Sequence, residues 1–139
     1  MRLKDRSADK GFILIGAQSS FFGDQLSQLN DEHRKNVLDS WPGHDTWILP
    51  DVSYPGRVRG GRTTLACRVP AHAQARALSA AFGGAIVSSS ANRSGKPVVV
   101  NADTARQMFA GDVAFILPGE VGEAGKASTI HGLDQTILR

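Results

Sequence analysis

The chain has 139 residues, of which 41% are hydrophobic, and this content suffices for one compact domain spanning residues 1–139. Its formal net charge of +3 suits anionic ligands but falls well short of a dedicated nucleic-acid-binding arm. A single cysteine excludes an internal disulfide, no apolar run approaches the roughly 20 residues that span a bilayer, and the start lacks the apolar core of a secretion signal. We therefore expect a protein of the reducing cytoplasm.

The N-terminal part of the chain predicts one strand followed by two helices. Residues 11–16 form a continuous apolar run between two glycines, which is typical of a strand buried on both faces. Residues 19–29 predict a short, loose helix because a glycine interrupts them. A firmer helix begins at Asn30 or Asp31 and ends at Pro42. Its expected buried face consists of Val37, Leu38 and Trp41.

Two further strands flank a basic, glycine-rich loop. Residues 46–49 and 63–69 predict the strands, and residues 50–61 predict a mobile loop. The arginines of this region are Arg57, Arg59 and Arg62. The loop covers a nucleotide, contacts RNA phosphate or is simply a solvated surface loop, and the sequence leaves these alternatives open.

Side chains alternate along the second of these strands. One row contains Thr64, Ala66 and Arg68, and the other contains Leu65, Cys67 and Val69. Because the second row is apolar, we expect it to face the core and Arg68 to leave it. Cys67 is then a small core residue, since no neighbour in the sequence predicts an activated thiol.

The second half of the chain continues the alternation of helices and short strands. A helix over residues 71–82 ends at Gly83, and Asn101 caps another that ends at Met108 or Phe109. The first helix should bury Ala77, Leu78, Ala81 and Phe82. Strands are expected at residues 85–87, 114–117 and 135–139, and the first of these segments should be the buried end of a strand. This pattern predicts an α/β architecture with helices layered against a sheet.

Two polar segments are candidates for binding. Ser88, Ser90 and Asn92 follow an apolar strand and alternate, so an extended backbone would point them the same way, toward a phosphate or nucleotide. Near the start, Lys4 and Arg6 are separated by one residue and can project together toward phosphate. An ordinary polar turn and a solvated, charged terminus remain the alternatives.

The polar stretch and four other segments resemble one known family. Ser88-Ser89-Ser90-Ala91-Asn92-Arg93-Ser94-Gly95 resembles the S-T-S-A-N-x-S-G stretch of the YrdC family, the threonylcarbamoyl-AMP synthases of tRNA modification. Four more segments match its motifs in the same order along the chain. They are Leu3-Lys4-Asp5-Arg6 (L-K-x-R), Trp41-Pro42-Gly43-His44-Asp45-Thr46 (W-P-G-P-x-T, with His44 for proline), Leu65-Ala66-Cys67-Arg68-Val69-Pro70 (L-A-V-R-V-P) and Ala127-Ser128-Thr129-Ile130 (P-S-T-I).

The resemblance implies a fold and a reaction. The fold would be three-layered, with a twisted mixed sheet around an open cavity. It would lack the family's N-terminal strand, turn and helix, because this sequence starts at Met1, directly before the K-x-R match. The reaction would join L-threonine, bicarbonate and ATP to give L-threonylcarbamoyl-AMP and pyrophosphate. Partner proteins would then use the L-threonylcarbamoyl-AMP to modify tRNA.

The resemblance also assigns roles to single residues. The positions that match ATP contacts are Lys4, Arg6, Thr64, Ser90, Asn92 and Arg139. Lys4 and Arg6 would be catalytic, because they would stabilise phosphate charge as pyrophosphate leaves. Arg68 and Ser88 match the threonine side, where a guanidinium can hold a carboxylate through two parallel bonds. A magnesium ion is expected on the phosphates, since no carboxylate cluster predicts a metal cage, and His44 is expected to be variation in a turn.

Two alternatives to this enzyme stay open from the sequence. One is a noncatalytic module of the same fold that binds double-stranded RNA or tRNA, or assists assembly. The other is a carbamoyl-adenylate former of hydrogenase maturation, although such domains sit in longer, cysteine-rich chains and this chain has one cysteine.

Overall fold

The computed structural model describes residues 10–119, 121, 127–134 and 136–138. The strands in this part of the chain are β1 (Ile13–Ile15), β2 (Asp45–Pro50), β3 (Thr64–Arg68), β4 (Ile86–Ser88) and β5 (Thr129–His131). The α-helices are α1 (Gly23–Ser27), α2 (Asp31–Asp39), α3 (Gly56–Arg59), α4 (Ala73–Phe82) and α5 (Ala102–Phe109), and a 3₁₀ turn (Ser19–Phe22) precedes α1.

All five strands belong to one mixed sheet with the order β4-β1-β3-β2-β5. β1 runs parallel to β3 and β2 runs parallel to β5, whereas the β1–β4 and β2–β3 pairs are antiparallel. The predicted α/β class with a mixed sheet is therefore confirmed. β1 and β3 lie inside the sheet, so the side chains they present are held by neighbours on both sides.

The core lies on one face of this sheet because every second strand residue is apolar. Leu14, Leu49, Leu65 and Cys67 are each 2% exposed or less. The helical segments contribute Phe22, Leu26, Leu29, Val37 and Trp41 to the same cluster. Burial of each large apolar side chain contributes about 1.5–3 kcal/mol. The residues between the buried ones on β3 are only partly buried, which confirms that Arg68 lies outside the core row.

The helix predicted after Asn30 is α2, and its N-cap is confirmed. The Asn30 side chain accepts a hydrogen bond of 2.8 Å from the backbone N–H of His33. Val37 is fully buried, but Leu38 is 38% exposed and was wrongly assigned to the core face. Successive helical residues are turned by about 100°, so one of two neighbours on a short helix faces away from the sheet.

The helix α4 is present, but its predicted buried row is wrong. Phe82 is 72% exposed and Leu78 is 43% exposed, whereas Ser79 is fully buried. The Ser79 hydroxyl donates to the backbone carbonyl of Gly84 (2.7 Å) and accepts from the backbone N–H of Ala17 (2.9 Å). The helix therefore approaches the end of β1 through a small polar side chain that satisfies backbone groups, and its larger apolar residues face outward.

Three strand predictions also need correction. β1 is central but buries only its middle residue, and β4 is an edge strand with Val87 54% exposed, because β4 pairs with β1 alone within the described residues. Residues 114–117 form no strand, and Phe115 is 73% exposed. The segment 135–139 lies partly outside the described residues, and within it Ile137 makes an isolated bridge to His131 of β5.

The chain divides into two compact units. Among the described residues, the sheet unit comprises 10–89, 128–134 and 136–138, and the α5 unit comprises 90–119, 121 and 127. In the α5 unit, Asn101 caps α5 as predicted, with its side chain 2.9 Å from the N–H of Thr104. Arg93 pairs with Asp112 at 2.5 Å and lies 6.0 Å from the centroid of the Phe109 ring. The assignment of residues 1–139 to a single domain stays a prediction.

The basic segment after β2 is organised by a buried carboxylate. Asp51 is 1% exposed and accepts hydrogen bonds from Gln25 Nε2 (2.6 Å), Ser53 Oγ (2.7 Å) and the N–H of Tyr54 (3.1 Å). Arg59 Nε lies 3.4 Å from Asp51 Oδ2. The segment thus contains α3 and is tied to the core, unlike the mobile loop predicted. Burial acts to raise the pKa of Asp51, but its hydrogen bonds outweigh burial and hold that pKa below the ordinary value.

We expect Asp51→Asn to lower the free energy of unfolding at pH 7 by about 3 kcal/mol, because Arg59 loses a buried counter-charge. Asp39→Asn is the matched control, since Asp39 makes an exposed ion pair with Lys35 and its substitution should change stability little. A carboxylate with a lowered folded pKa stabilises fully above its unfolded pKa of about 3.9 and loses that effect as pH falls through the folded pKa. Denaturant titrations at about pH 7 and about pH 3 should therefore show that the difference in unfolding free energy between the parent and Asp51→Asn is smaller at the lower pH. A difference independent of pH would contradict this role.

Candidate functional site

The candidate site lies on the sheet face opposite the core. Arg68 and Ala66 are beside Ile15 and Ile13 of β1, and Ser88 of β4 is beside Ile13 on its other side. Paired residues in a sheet point to the same face, so Arg68 and Ser88 share this face. They are two strands and two residues apart, which places their Cα atoms about 12 Å from each other. The structure therefore brings together the two residues predicted to bind threonine.

Apolar side chains separate Arg68 from Ser88. Ile13, Ile15 and Ala66 form this floor, and all three are partly buried. Thr64 is on the same face but at the opposite end of β3, about 13 Å from Arg68 along the strand. Across this face the Arg68 guanidinium is followed by the apolar floor and then by the Ser88 hydroxyl, and the Thr64 hydroxyl lies farther away.

A turn at residues 43–44 holds the Arg68 guanidinium. Arg68 Nε donates to the backbone carbonyl of Gly43 at 3.0 Å, and Nη2 is 3.4 Å from His44 Nδ1. Nε and Nη2 form one edge of the planar guanidinium, so the turn binds this edge and the edge formed by Nη1 and Nη2 is turned away from it. Burial lowers the pKa of Arg68 and nearby Asp45 opposes this effect, while a guanidinium stays charged at neutral pH.

The turn is pressed against the end of α2. Gly43 donates its N–H to the Val69 carbonyl at 2.8 Å, which extends the pairing beyond β3. A Cβ atom at position 43 would lie 2.1 Å from the carbonyl oxygen of Ser40. Only glycine fits there, and this close approach fixes where the Gly43 carbonyl meets Arg68.

Two histidines at this end of the sheet were missed by sequence reasoning. His44 was expected to be mere variation in a turn, yet it contacts Arg68. His131 Nε2 lies 2.6 Å from Asp45 Oδ1, and its ring stacks on Trp47 at 4.9 Å. These pairs join residues 24 and 86 positions apart, so only the sheet register could have revealed them.

The polar stretch is less extended than predicted. The strand ends at Ser88, and the backbone then turns, with the N–H of Asn92 bonded to the carbonyl of Ser90 at 3.0 Å. Ser90 Oγ donates to Asn92 Oδ1 at 2.6 Å, and Asn92 Nδ2 donates to the Lys96 carbonyl at 2.9 Å. The predicted alternation of Ser88, Ser90 and Asn92 along one strand is therefore wrong. Ser90 and Asn92 instead form a turn of the α5 unit.

Three predicted ATP residues, Lys4, Arg6 and Arg139, lie outside the described residues, so their roles stay predictions. Within the part of the chain that the structure describes, no three His, Cys, Asp or Glu side chains could together hold a metal ion. These residues do not form a protein cage for magnesium, and we assign no step to the metal. No helix in the same ranges has the length and apolar character required to cross a membrane.

Cys67 is a core residue, as predicted. It is fully buried, and its Sγ lies 3.7 Å from the Leu65 carbonyl. Burial raises the pKa of the Cys67 thiol, and the negative charge of Asp51 raises it further. The chain's single cysteine therefore offers no thiolate for catalysis.

Comparison with known sequences identifies relatives of this chain. The family model for Sua5, YciO and YrdC proteins, described as "Telomere recombination", matches residues 1–139. The threonylcarbamoyl-AMP synthases of Chromohalobacter salexigens and Alkalilimnicola ehrlichii are 42% and 44% identical to the chain over 135 and 137 residues. Each match covers 94% of this chain, and 71% and 70% of the two relatives. These relatives confirm the predicted family and its type of enzyme, a nucleotidyltransferase.

Solved structures agree with the fold. P. abyssi Sua5 complexed with L-threonine matches with a TM-score of 0.89 and 30% identity, over 99% of this chain and 42% of that one. E. coli YciO matches with a TM-score of 0.78 and 22% identity, over 94% of this chain and 64% of that one, which supports the fold alone. The chain spans less than half of the Sua5 protein.

We expect the Cys67 thiol to resist a disulfide reagent such as DTNB in the native protein, because it is buried and its pKa is raised. In denaturant the same reagent should titrate one thiol per chain. Since Cys67 is the only cysteine, the absorbance change reports on it alone. Rapid stoichiometric reaction of the folded protein would overturn the assignment of Cys67 to the core.

Proposed function

Because the chain belongs to the Sua5, YciO and YrdC family, we propose that it makes L-threonylcarbamoyl-AMP and pyrophosphate from L-threonine, bicarbonate and ATP. The product would serve the modification of tRNA by partner proteins. The curated relatives carry the name of this enzyme, and one structural neighbour was crystallised with L-threonine. The single observation that carries the proposal for this chain is the aligned, partly buried guanidinium of Arg68.

Arg68 is suited to the threonine carboxylate. Its Nε and Nη2 edge is taken by the turn at residues 43–44, so a carboxylate would bind the edge formed by Nη1 and Nη2 through two parallel bonds. Partial burial strengthens such charge-assisted bonds because less water competes for them. The turn fixes the orientation of the guanidinium in advance, so less side-chain freedom is lost on binding.

The floor beside Arg68 fits the remainder of threonine. Ile13, Ile15 and Ala66 offer apolar contact for the substrate's methyl group. Ser88, at the other end of this floor, offers a hydroxyl that can donate or accept a hydrogen bond with the substrate's amine or hydroxyl. This arrangement is compatible with a small amino acid that carries both a methyl and a hydroxyl group.

The chemistry requires positioning and cations more than a protein nucleophile. The threonine amine captures carbon dioxide or bicarbonate, and a carbamate oxygen then attacks the α-phosphorus of ATP as pyrophosphate leaves in line. Negative charge builds on the phosphate oxygens, where Lys4 and Arg6 would stabilise it. Burial of Cys67 is compatible with this route, because no covalent enzyme intermediate is needed. That magnesium enters the site bound to the phosphates of ATP stays a prediction.

We expect pyrophosphate release to require both threonine and bicarbonate. Arg68→Lys should raise the KM for threonine roughly 10- to 150-fold, which corresponds to a loss of about 1.5–3 kcal/mol of binding free energy. Lysine keeps the charge but loses the two-pronged geometry. The KM for ATP should stay unchanged. Arg106→Lys is the matched control, because Arg106 pairs with Asp103 on the exposed surface of α5.

Each outcome of this assay separates the candidate functions. Pyrophosphate release that does not depend on threonine would contradict the proposed synthase activity and favour a different carbamoyl-adenylate-forming enzyme. Tight binding of double-stranded RNA or tRNA without any turnover would favour the noncatalytic module. Equal threonine KM values for Arg68→Lys and the parent would remove Arg68 from the site.

Ser90→Ala and Asn92→Ala should each weaken ATP binding by about 1.5–3 kcal/mol, if their turn contacts charged phosphate. Ser94→Ala, an exposed change in the same stretch, is the control. Calorimetric titration with ATP measures the affinities, and thermal melting verifies that the variants fold. Unchanged ATP affinity in both variants would take this turn out of the nucleotide site.

A further inference from the structure

The contact between His44 and Arg68 has a defined polarity. Arg68 Nη2 and His44 Nδ1 are 3.4 Å apart, and both side chains are partly buried. Arginine has only donors, so the imidazole nitrogen must accept. His44 can accept at Nδ1 only when it is neutral and carries its proton on Nε2.

We propose that His44 is a positioning residue that aligns Arg68 for threonine when neutral and releases it when protonated. The inference rests on the proposed function, since it assumes that Arg68 holds the substrate carboxylate. Protonation removes the acceptor and places a second cation against the guanidinium, so Arg68 loses its bond to His44 and retains its bond to the Gly43 carbonyl. Threonine affinity is then lower for the protonated than for the neutral form of His44.

His44 stands where the resembling motif W-P-G-P-x-T has its second proline. Proline has no side-chain acceptor for a hydrogen bond from a guanidinium. The contact is therefore a property of this chain's own sequence.

Other charged groups surround the pair. Asp45, which follows His44 and begins β2, attracts Arg68 electrostatically and is bonded to His131 of β5 at 2.6 Å. On β3 the facing charge is Arg68 itself. His131 is a second histidine at this end of the sheet, so a test must separate its effect from that of His44.

Asparagine at position 44 provides that separation. Its Oδ1 is attached to Cγ, like Nδ1 of histidine, and accepts a hydrogen bond at every pH. Threonine binding by the parent, His44→Asn and His44→Ala is measured by calorimetry at about pH 8 and about pH 5.5. Comparing variants at one pH cancels the titration of threonine itself.

We expect the parent and His44→Asn to bind threonine equally at the higher pH, and the parent to be about fivefold weaker than His44→Asn at the lower pH. His44→Ala should be about fivefold weaker than His44→Asn at both. If parent and His44→Asn respond identically to acid, the pH effect belongs to His131 or elsewhere and the proposal is wrong. If His44→Ala binds as well as the parent, His44 does not position Arg68.

A readout without threonine separates this inference from the proposed function. The ¹⁵N spectrum of the histidine rings should show His44 protonated on Nε2 at the higher pH, and the Arg68 Nε–H signal should shift with pH in the parent but not in His44→Asn. A proton on Nδ1 would overturn the inference even if threonine binds. If the spectra are as expected but the protein does not bind threonine, the contact between neutral His44 and Arg68 is supported and Arg68 is not the carboxylate site.

Discussion

The alternation of side chains along β3 is the constraint on which the rest of the structure depends. Leu65 and Cys67 are almost completely buried, and the residues between them face the opposite side of the sheet. A slip of one residue in the pairing of β3 with β1 or β2 would bring Arg68 into the apolar core, where an unpaired guanidinium is strongly unfavourable. The packing that stabilises the fold therefore also determines which face carries the site. The register with β1 then sets the separation between Arg68 and Ser88.

Local sequence predicted the features that local chemistry determines. The cap at Asn30, the cap at Asn101 and the two faces of β3 follow from hydrogen-bonding side chains and from a period of two, and the structure confirms all three. Features decided by distant partners could not be predicted in this way. Ser79 is buried where its hydroxyl meets the Gly84 carbonyl just after the helix and the Ala17 N–H, and nothing near Ser79 in sequence indicates the second partner, which is 62 residues away. The apolar residues of α4 were therefore assigned to the core from the sequence, whereas the buried side chain of this helix is that of Ser79.

The candidate site shows the same division. Arg68 and Ser88 were identified from motif resemblance, and the sheet places them on one face. The partners that orient Arg68 come from a turn 24 or 25 residues earlier, and periodicity carries no information about such pairs. The polar stretch was wrongly taken as extended, because the hydrogen bonds that Ser90 and Asn92 make with their own neighbours favour a turn.

The close approach of Gly43 to α2 has a consequence for how this protein can evolve. Any side-chain atom added at position 43 would collide with the Ser40 carbonyl and displace the backbone oxygen that meets Arg68. The adjacent position already carries a Cβ atom, and this chain has His44 where the resembling motif has proline. Two neighbouring positions in one turn thus differ sharply in mutational tolerance. Sequence drift can tune the surroundings of Arg68 through residue 44, while residue 43 remains closed to variation.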